Sequence, residues 1–144
     1  YEFVHDKIGY NYRMPNLNAA LGCAQMERLD DFLSVKTQLS GQWARFFEEM
    51  HVNFVRAIEG SKANHWLNAI VLESRDDRDQ FLKQTNDSGV MTRPVWQLMS
   101  QLSMFQECQT DGLRNSLWLQ DRVVNIPSSV PDGALVKWEV NETV

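Results

Sequence analysis

The chain has 144 residues, of which 43% are hydrophobic and 23% are charged, and its formal net charge is −5 at pH 7. This length suits one domain with a sizeable core, and the acidic balance argues against nucleic acid as a partner, because phosphate binding draws on a positive field. No apolar run in the sequence approaches the roughly 20 residues that span a bilayer, so we expect no membrane segment and a cytoplasmic location.

Residues 1–14 are predicted to form an extended arm that leads into a helix. Because side chains alternate along an extended segment, Asn11 and Arg13 would point the same way, with Tyr10 and Tyr12 facing away to pack or stack. A guanidinium fork and an amide together suit a phosphate or a carboxylate. The alternative is a surface loop that only connects to the helix.

Residues 16–50 are predicted to form one long helix with a possible bend. Gly22 and Gly41 lie within it, so a kink, a close helix contact or two consecutive helices are also open. The predicted core face consists of apolar side chains at steps of three, four or seven: Leu29, Phe32, Leu39, Trp43, Phe46 and Met50.

Short strands and helices follow this segment. Strands are predicted over residues 52–55, 66–72, 90–95 and 122–127, with a turn at residues 59–62. A helix begins after the N-cap residue Ser74 and continues to Asn86, and Gly89 occupies a position that requires a positive φ. A further helix over residues 111–122 would bury Leu113, Leu117 and Trp118. The pattern predicts an α+β fold, with a small antiparallel or mixed sheet and helices on one face.

A second cluster of candidate site residues lies in the third strand. Arg93 precedes a proline, which favours an extended conformation, and Trp96 provides a flat apolar face close by. An arginine beside an aromatic ring can hold a diphosphate and a ring. The alternative is that Arg93 forms a structural salt bridge and Trp96 fills the core.

Three segments of the chain resemble one enzyme family. They are residues 1–22, which contain GYNYRMPNLNAALG, residues 29–32, which read LDDF, and residues 90–96, which read VMTRPVW. They are similar to the DegT/DnrJ/EryC1/StrS family of pyridoxal-phosphate-dependent nucleotide-sugar aminotransferases. The resemblance implies a fold like the C-terminal domain of fold-type I aminotransferases, with an interface arm at residues 1–14 and the small domain at residues 15–144.

The resemblance also implies a cofactor, partners and an activity. The large domain that binds pyridoxal 5'-phosphate, with its Schiff-base lysine, is expected upstream, so we expect no catalytic residue here and an inactive fragment. Asn11 and Arg13 would bind the cofactor in the other subunit of a homodimer, while Tyr10, Arg93 and Trp96 would bind substrate. The full-length enzyme would aminate a nucleotide-linked 4-keto-6-deoxysugar with a donor such as glutamate, for bacterial surface polysaccharides.

One departure from the family pattern is informative. Many members have a histidine soon after the proline, whereas residues 97–100 of this chain read QLMS. Residues 93–99 resemble the subgroup that acts on UDP-linked N-acetylated sugars in legionaminic acid or bacillosamine pathways. Two other functions stay open: a non-catalytic dimerisation or binding module, and a sugar sensor that binds pyridoxal phosphate without transferring amino groups.

The cysteines and histidines do not form a metal motif. Cys23 and Cys108 have neither C-x-x-C nor zinc spacing, which favours buried thiols in a reducing compartment over a disulfide framework. His5, His51 and His65 have no second ligand at metal-binding spacing. We therefore predict no metal site.

Overall fold

The computed structural model describes residues 4–131, so the predictions that involve residues 1–3 and 132–144 fall outside it. Within that range, four α-helices and four strands follow one another. In chain order they are α1 (Asn16–Met26), α2 (Leu29–Glu49), β1 (Asn53–Phe54), β2 (Asn68–Val71), α3 (Arg75–Asp87), β3 (Arg93–Pro94), α4 (Arg114–Gln120) and β4 (Val123–Ile126). Two 3₁₀ helices, Met99–Gln101 and Ser103–Phe105, lie between β3 and α4.

The four strands form one antiparallel sheet in the order β1-β2-β4-β3. Ile70 pairs with Val124, and both side chains are 0% exposed. They pack in the core with Phe47 of α2, Leu82 of α3 and Ile126 of β4. Because side chains alternate along a strand, α2 and α3 cover the same face of the sheet. The α+β prediction is confirmed, with the sheet of the antiparallel type.

The preferred prediction of one long helix over residues 16–50 is wrong, and the alternative of two consecutive helices is confirmed. The helix is interrupted at Glu27 and Arg28, at neither of the two glycines. The Arg28 N–H donates to the Gln25 carbonyl at 3.1 Å, a tighter i→i−3 bond, and Arg28 has φ −114° and ψ 13°. Its guanidinium lies 6.0 Å from the Phe32 ring, and its Nε is 3.6 Å from Asp31 Oδ2. These contacts hold Arg28 as the N-cap residue of α2.

The buried face of α2 differs from the predicted core face. Ser40, Ala44 and Phe47 are its buried residues, whereas Leu29, Phe46 and Met50 of the predicted face are exposed. A spacing pattern identifies a stripe of apolar residues but not the neighbour that the stripe meets. The sheet meets the side of α2 that contains the two small residues, since these allow the helix to approach closely.

Helix α3 is the element that the sequence predicts best. Ser74 is its N-cap, and its Oγ accepts a hydrogen bond from the Asp77 N–H at 3.1 Å. Gly89, just after the helix, has a φ of 79° as predicted. The last turn of α3 also holds the following strand, because Thr85 Oγ1 lies 2.6 Å from Thr92 Oγ1.

The elements after α3 are shorter than predicted, and two of their side-chain predictions are wrong. Strand β3 has two residues and α4 has seven. Leu117 and Trp118 are exposed rather than buried, while Leu113 is half-buried and has a φ of 55°. A leucine in the left-handed region cannot continue a helix towards its N-terminus, so α4 begins at Arg114.

Both cysteines, Cys23 and Cys108, are free and exposed, so the prediction of buried thiols is also wrong. Cys23 lies on α1, a helix without a buried residue, and this leaves its thiol at the surface. None of the helices between residues 4 and 131 is both long enough and apolar enough to cross a membrane.

Candidate functional site

The polar side chains of the arm are exposed to solvent. Tyr10, Asn11 and Arg13 are all exposed, and the Tyr10 and Tyr12 rings stack with centroids 5.8 Å apart and planes at 21°. Stacking of the two tyrosines matches the alternation expected of an extended segment. Neither Asn11 nor Arg13 has a hydrogen-bond partner within residues 4–131.

These two side chains fit an anionic group by their chemistry. A guanidinium offers a planar fork of N–H donors and an amide adds two more, so together they match the oxygens of a phosphate such as that of pyridoxal phosphate. Their donors are unused by the described part of the chain. They can therefore bind a group presented by another domain or another subunit.

The second site is a cavity of about 800 Å³, within the size range of small-molecule sites, which we call the Arg93 cavity. The sheet forms part of its wall, with Arg93 of β3 paired with Asn125 of β4. Arg93 and Trp96, which the sequence indicates as substrate residues, both line this cavity. Trp96 is 53% exposed, so it does not fill the core.

The wall of the Arg93 cavity is basic although the chain is acidic. Its described charged residues are four cations and one carboxylate: Lys36, Arg75, Arg78, Arg93 and Asp121. Arg93 Nη2 donates to Met91 Sδ at 3.5 Å. Lys36 Nζ donates to the Ser128 carbonyl, and partial burial lowers the pKa of this amine from its usual value. The local charge favours an anionic ligand.

Carboxylates hold two of the four cations in place. The buried Arg78 donates through Nε and Nη2 to Asp79 Oδ1, at 2.9 and 2.6 Å, and through Nη1 to the Gln120 carbonyl at 2.5 Å. Arg75 lies 3.9 Å from Asp79 and 3.8 Å from Asp121. These contacts make Arg75 and Arg78 part of the frame that joins α3 to the end of α4.

The wall of this cavity contains one further aromatic residue that the sequence does not mark as a candidate. Trp66, just before β2, packs against Trp96 with ring centroids 6.1 Å apart and planes at 31°. The register alone would place Trp66 and Trp96 at opposite ends of the sheet, so their contact requires that the chain leaves the sheet after Pro94. The available signal was a second tryptophan at the start of a predicted strand.

The structure does not bring all the predicted site residues together. Arg93 and Trp96 share the cavity, whereas Tyr10, Asn11 and Arg13 are absent from its described wall. Val4, near the start of the arm, does line it. The predicted substrate residues are therefore divided, because Tyr10 lies on the arm with Asn11 and Arg13, away from Arg93 and Trp96.

The fold is similar to that of part of a solved sugar aminotransferase. The solved sugar aminotransferase CalS13 from Micromonospora echinospora matches 84% of this chain and 32% of its own, with a TM-score of 0.64 and 22% identity. The chain belongs to the DegT/DnrJ/EryC1/StrS aminotransferase family, whose model matches residues 1–132. The resemblance seen in the sequence is thus confirmed.

Two curated relatives give the similarity more detail. The GDP-perosamine synthase of Escherichia coli O157:H7 is 32% identical over 132 residues, which are 88% of this chain and 34% of that protein. EpsN of Bacillus subtilis (strain 168) is provisionally named a pyridoxal phosphate-dependent aminotransferase. It is 23% identical to this chain, over 72% of this chain and 27% of the length of EpsN. The chain spans about a third of the length of the relatives that it matches.

Proposed function

We propose that this chain is the interface arm and C-terminal small domain of a pyridoxal-phosphate-dependent aminotransferase that acts on a nucleotide-linked 4-keto-6-deoxysugar. The donor is an amino acid such as glutamate, and the product is an amino sugar for surface polysaccharides. The observation that supports this most directly is the Arg93 cavity, a basic and aromatic site in an acidic member of the family. A nucleotide sugar has a diphosphate and a flat base that match these two properties.

In the proposal, Asn11 and Arg13 bind the phosphate of pyridoxal phosphate across the interface of a homodimer. The cofactor supplies an electron sink for the transfer of the amino group. The large domain, with the Schiff-base lysine, contributes the remaining contacts. Support comes from the exposed, unused donors of Asn11 and Arg13 and from the family's pyridoxal-phosphate chemistry.

Arg93 and Trp96 bind the nucleotide sugar in this scheme, and Tyr10 contributes from the arm. Two nucleotides are candidates for the substrate. The name of the 32% identical relative favours a GDP-linked sugar, whereas the pattern of residues 93–99 resembles enzymes for UDP-linked sugars. The two differ in the base, so one assay can compare them directly.

The test is an amino-transfer assay on the intact protein that contains this chain. Loaded with pyridoxal phosphate, it is supplied with glutamate and with GDP-linked or UDP-linked 4-keto-6-deoxysugars. We expect one of them to yield the amino sugar and an equal amount of 2-oxoglutarate. Cofactor binding without turnover of any sugar would favour the sensor, and absence of both would favour the dimerisation module.

A further inference from the structure

Trp66 has no role in the function described so far, although its ring is in contact with that of Trp96. The two indoles are 67% and 53% exposed, respectively, so each keeps a large open surface in the Arg93 cavity. Their tilt of 31° leaves the pair as a bent platform rather than a closed stack. Surfaces of this size bind flat rings by stacking.

We propose that Trp66 and Trp96 together bind the base of a nucleoside diphosphate, with Trp66 as a base-stacking residue. This inference rests on the proposed function, because it concerns the substrate of the same cavity. A base fits better than a sugar, since a purine or pyrimidine presents a π-face over its whole area. Arg93 lines the same cavity, so in this proposal its guanidinium binds the diphosphate of the ligand.

The backbone around Trp66 is held in a defined conformation. The Trp66 N–H donates to Asn64 Oδ1 at 3.0 Å, and His65 has a φ of 49°, in the left-handed region. Such a conformation is costly for a residue other than glycine and persists where the surroundings enforce it. The left-handed conformation of His65 and the bend at Trp66 and Leu67 direct the chain from the loop into β2, and they place Trp66 at the cavity wall.

Trp96 is held from the other side of the cavity. It lies two residues after Pro94, whose carbonyl accepts a hydrogen bond from Asn125 Nδ2 at 3.5 Å. β3 itself is paired with β4 through Arg93 and Asn125. The two tryptophans are thus attached to different strands of one sheet, which favours binding without a large rearrangement.

The positive charge of the cavity wall favours an anionic ligand over an apolar one. An apolar segment of the protein would cover the two tryptophans, but it would also take the basic wall of the cavity out of water, which costs free energy unless polar groups replace that water. A nucleoside diphosphate satisfies both parts of the wall at once. An apolar segment of another domain packed on the tryptophans is the competing occupant that the experiment must exclude.

The experiment measures binding to the intact protein, with GDP, UDP and inorganic pyrophosphate as probes in titration calorimetry. We expect Trp66→Ala to raise the Kd of the preferred nucleotide by about 5- to 150-fold, the equivalent of one lost stacking contact. The Kd of pyrophosphate should not change, because it has no base. Trp66→Phe, which keeps an aromatic face, should lose less affinity than Trp66→Ala.

The matched control is Trp118→Ala. Trp118 is 49% exposed and lies under the Arg122 guanidinium, with 4.7 Å between Cζ and the ring centroid, outside the described cavity wall. Trp118→Ala should leave the Kd of the nucleotide and the Kd of pyrophosphate unchanged. An unchanged nucleotide Kd in Trp66→Ala, or an equal rise for pyrophosphate, overturns the proposal. Failure of amino transfer with intact nucleotide binding would refute the proposed function and leave the role of Trp66 standing.

Discussion

Arg93 belongs to strand β3 and also lines the Arg93 cavity. It pairs with Asn125 across β3 and β4, and its side chain lies on the sheet face opposite to Val124. The hydrophobic core therefore uses the neighbouring positions and leaves Arg93 available to the cavity. A substitution there should alter binding more than stability.

We predict that Arg93→Ala raises the KM for the nucleotide sugar on the order of 10- to 100-fold, because hydrogen bonds to a charged group are lost. Arg93→Lys should recover part of this, since a lysine keeps the charge but not the planar fork. Steady-state kinetics on the intact protein measure both. Arg45→Ala is the control, because Arg45 is exposed on α2 outside the cavity wall. An unchanged KM in both Arg93 variants would contradict the prediction.

At this scale the sequence identifies Arg93 and Trp96 as candidates but cannot pair Trp96 with Trp66. The two tryptophans are thirty positions apart in the sequence, and no local pattern connects them. Their contact depends on the path of the chain after β3, which leaves the sheet. A short window of sequence does not predict tertiary contacts of this kind.

Among the elements, those with local signals are predicted well. α3 begins at its cap because the Ser74 side chain and the Asp77 N–H are neighbours in the chain. The break between α1 and α2 has no glycine or proline to mark it, and it depends on contacts of Arg28. The length of β3 is set by its pairing with β4, and such non-local pairing is beyond a propensity argument.

The junction of α3 and β3 gives a prediction about stability. Thr92 is 1% exposed, and its Oγ1 lies 2.6 Å from Thr85 Oγ1 and 3.0 Å from Asn86 Nδ2. Thr92→Val keeps the shape of the side chain but leaves each of these two half-buried partners with one hydrogen bond fewer. We expect the free energy of unfolding to fall by about 1 to 3 kcal/mol in urea titrations.

The control for this substitution is Thr37→Val. The Thr37 hydroxyl is exposed on α2 and donates to the Leu33 carbonyl, which is already part of the helix. Its loss should change stability by less than about 0.5 kcal/mol. Equal losses in the two variants would show that the Thr92 hydrogen bonds do not stabilise the junction of α3 and β3.

For the whole molecule, the distribution of apolar surface is uneven. The core cluster lies between the sheet and the helices α2 and α3, whereas α1 has no buried residue. Leu17 and Leu21 on α1 are 80% and 61% exposed. Exposed apolar surface of this kind favours association, and we expect a second copy of the chain to cover it.

We therefore predict that the 144-residue chain self-associates with increasing concentration, and that α1 forms the contact. The double variant Leu17→Lys and Leu21→Lys should shift the weight-average mass in sedimentation equilibrium towards the monomer, since burying two charges opposes association. Leu119→Lys, on the exposed side of α4, is the control and should associate like the parent. A parent chain that stays monomeric at the highest concentration, or a double variant that associates equally, would exclude α1 as the interface. Loss of association without loss of the helical circular dichroism signal would place the effect at the surface of α1 and not in its folding.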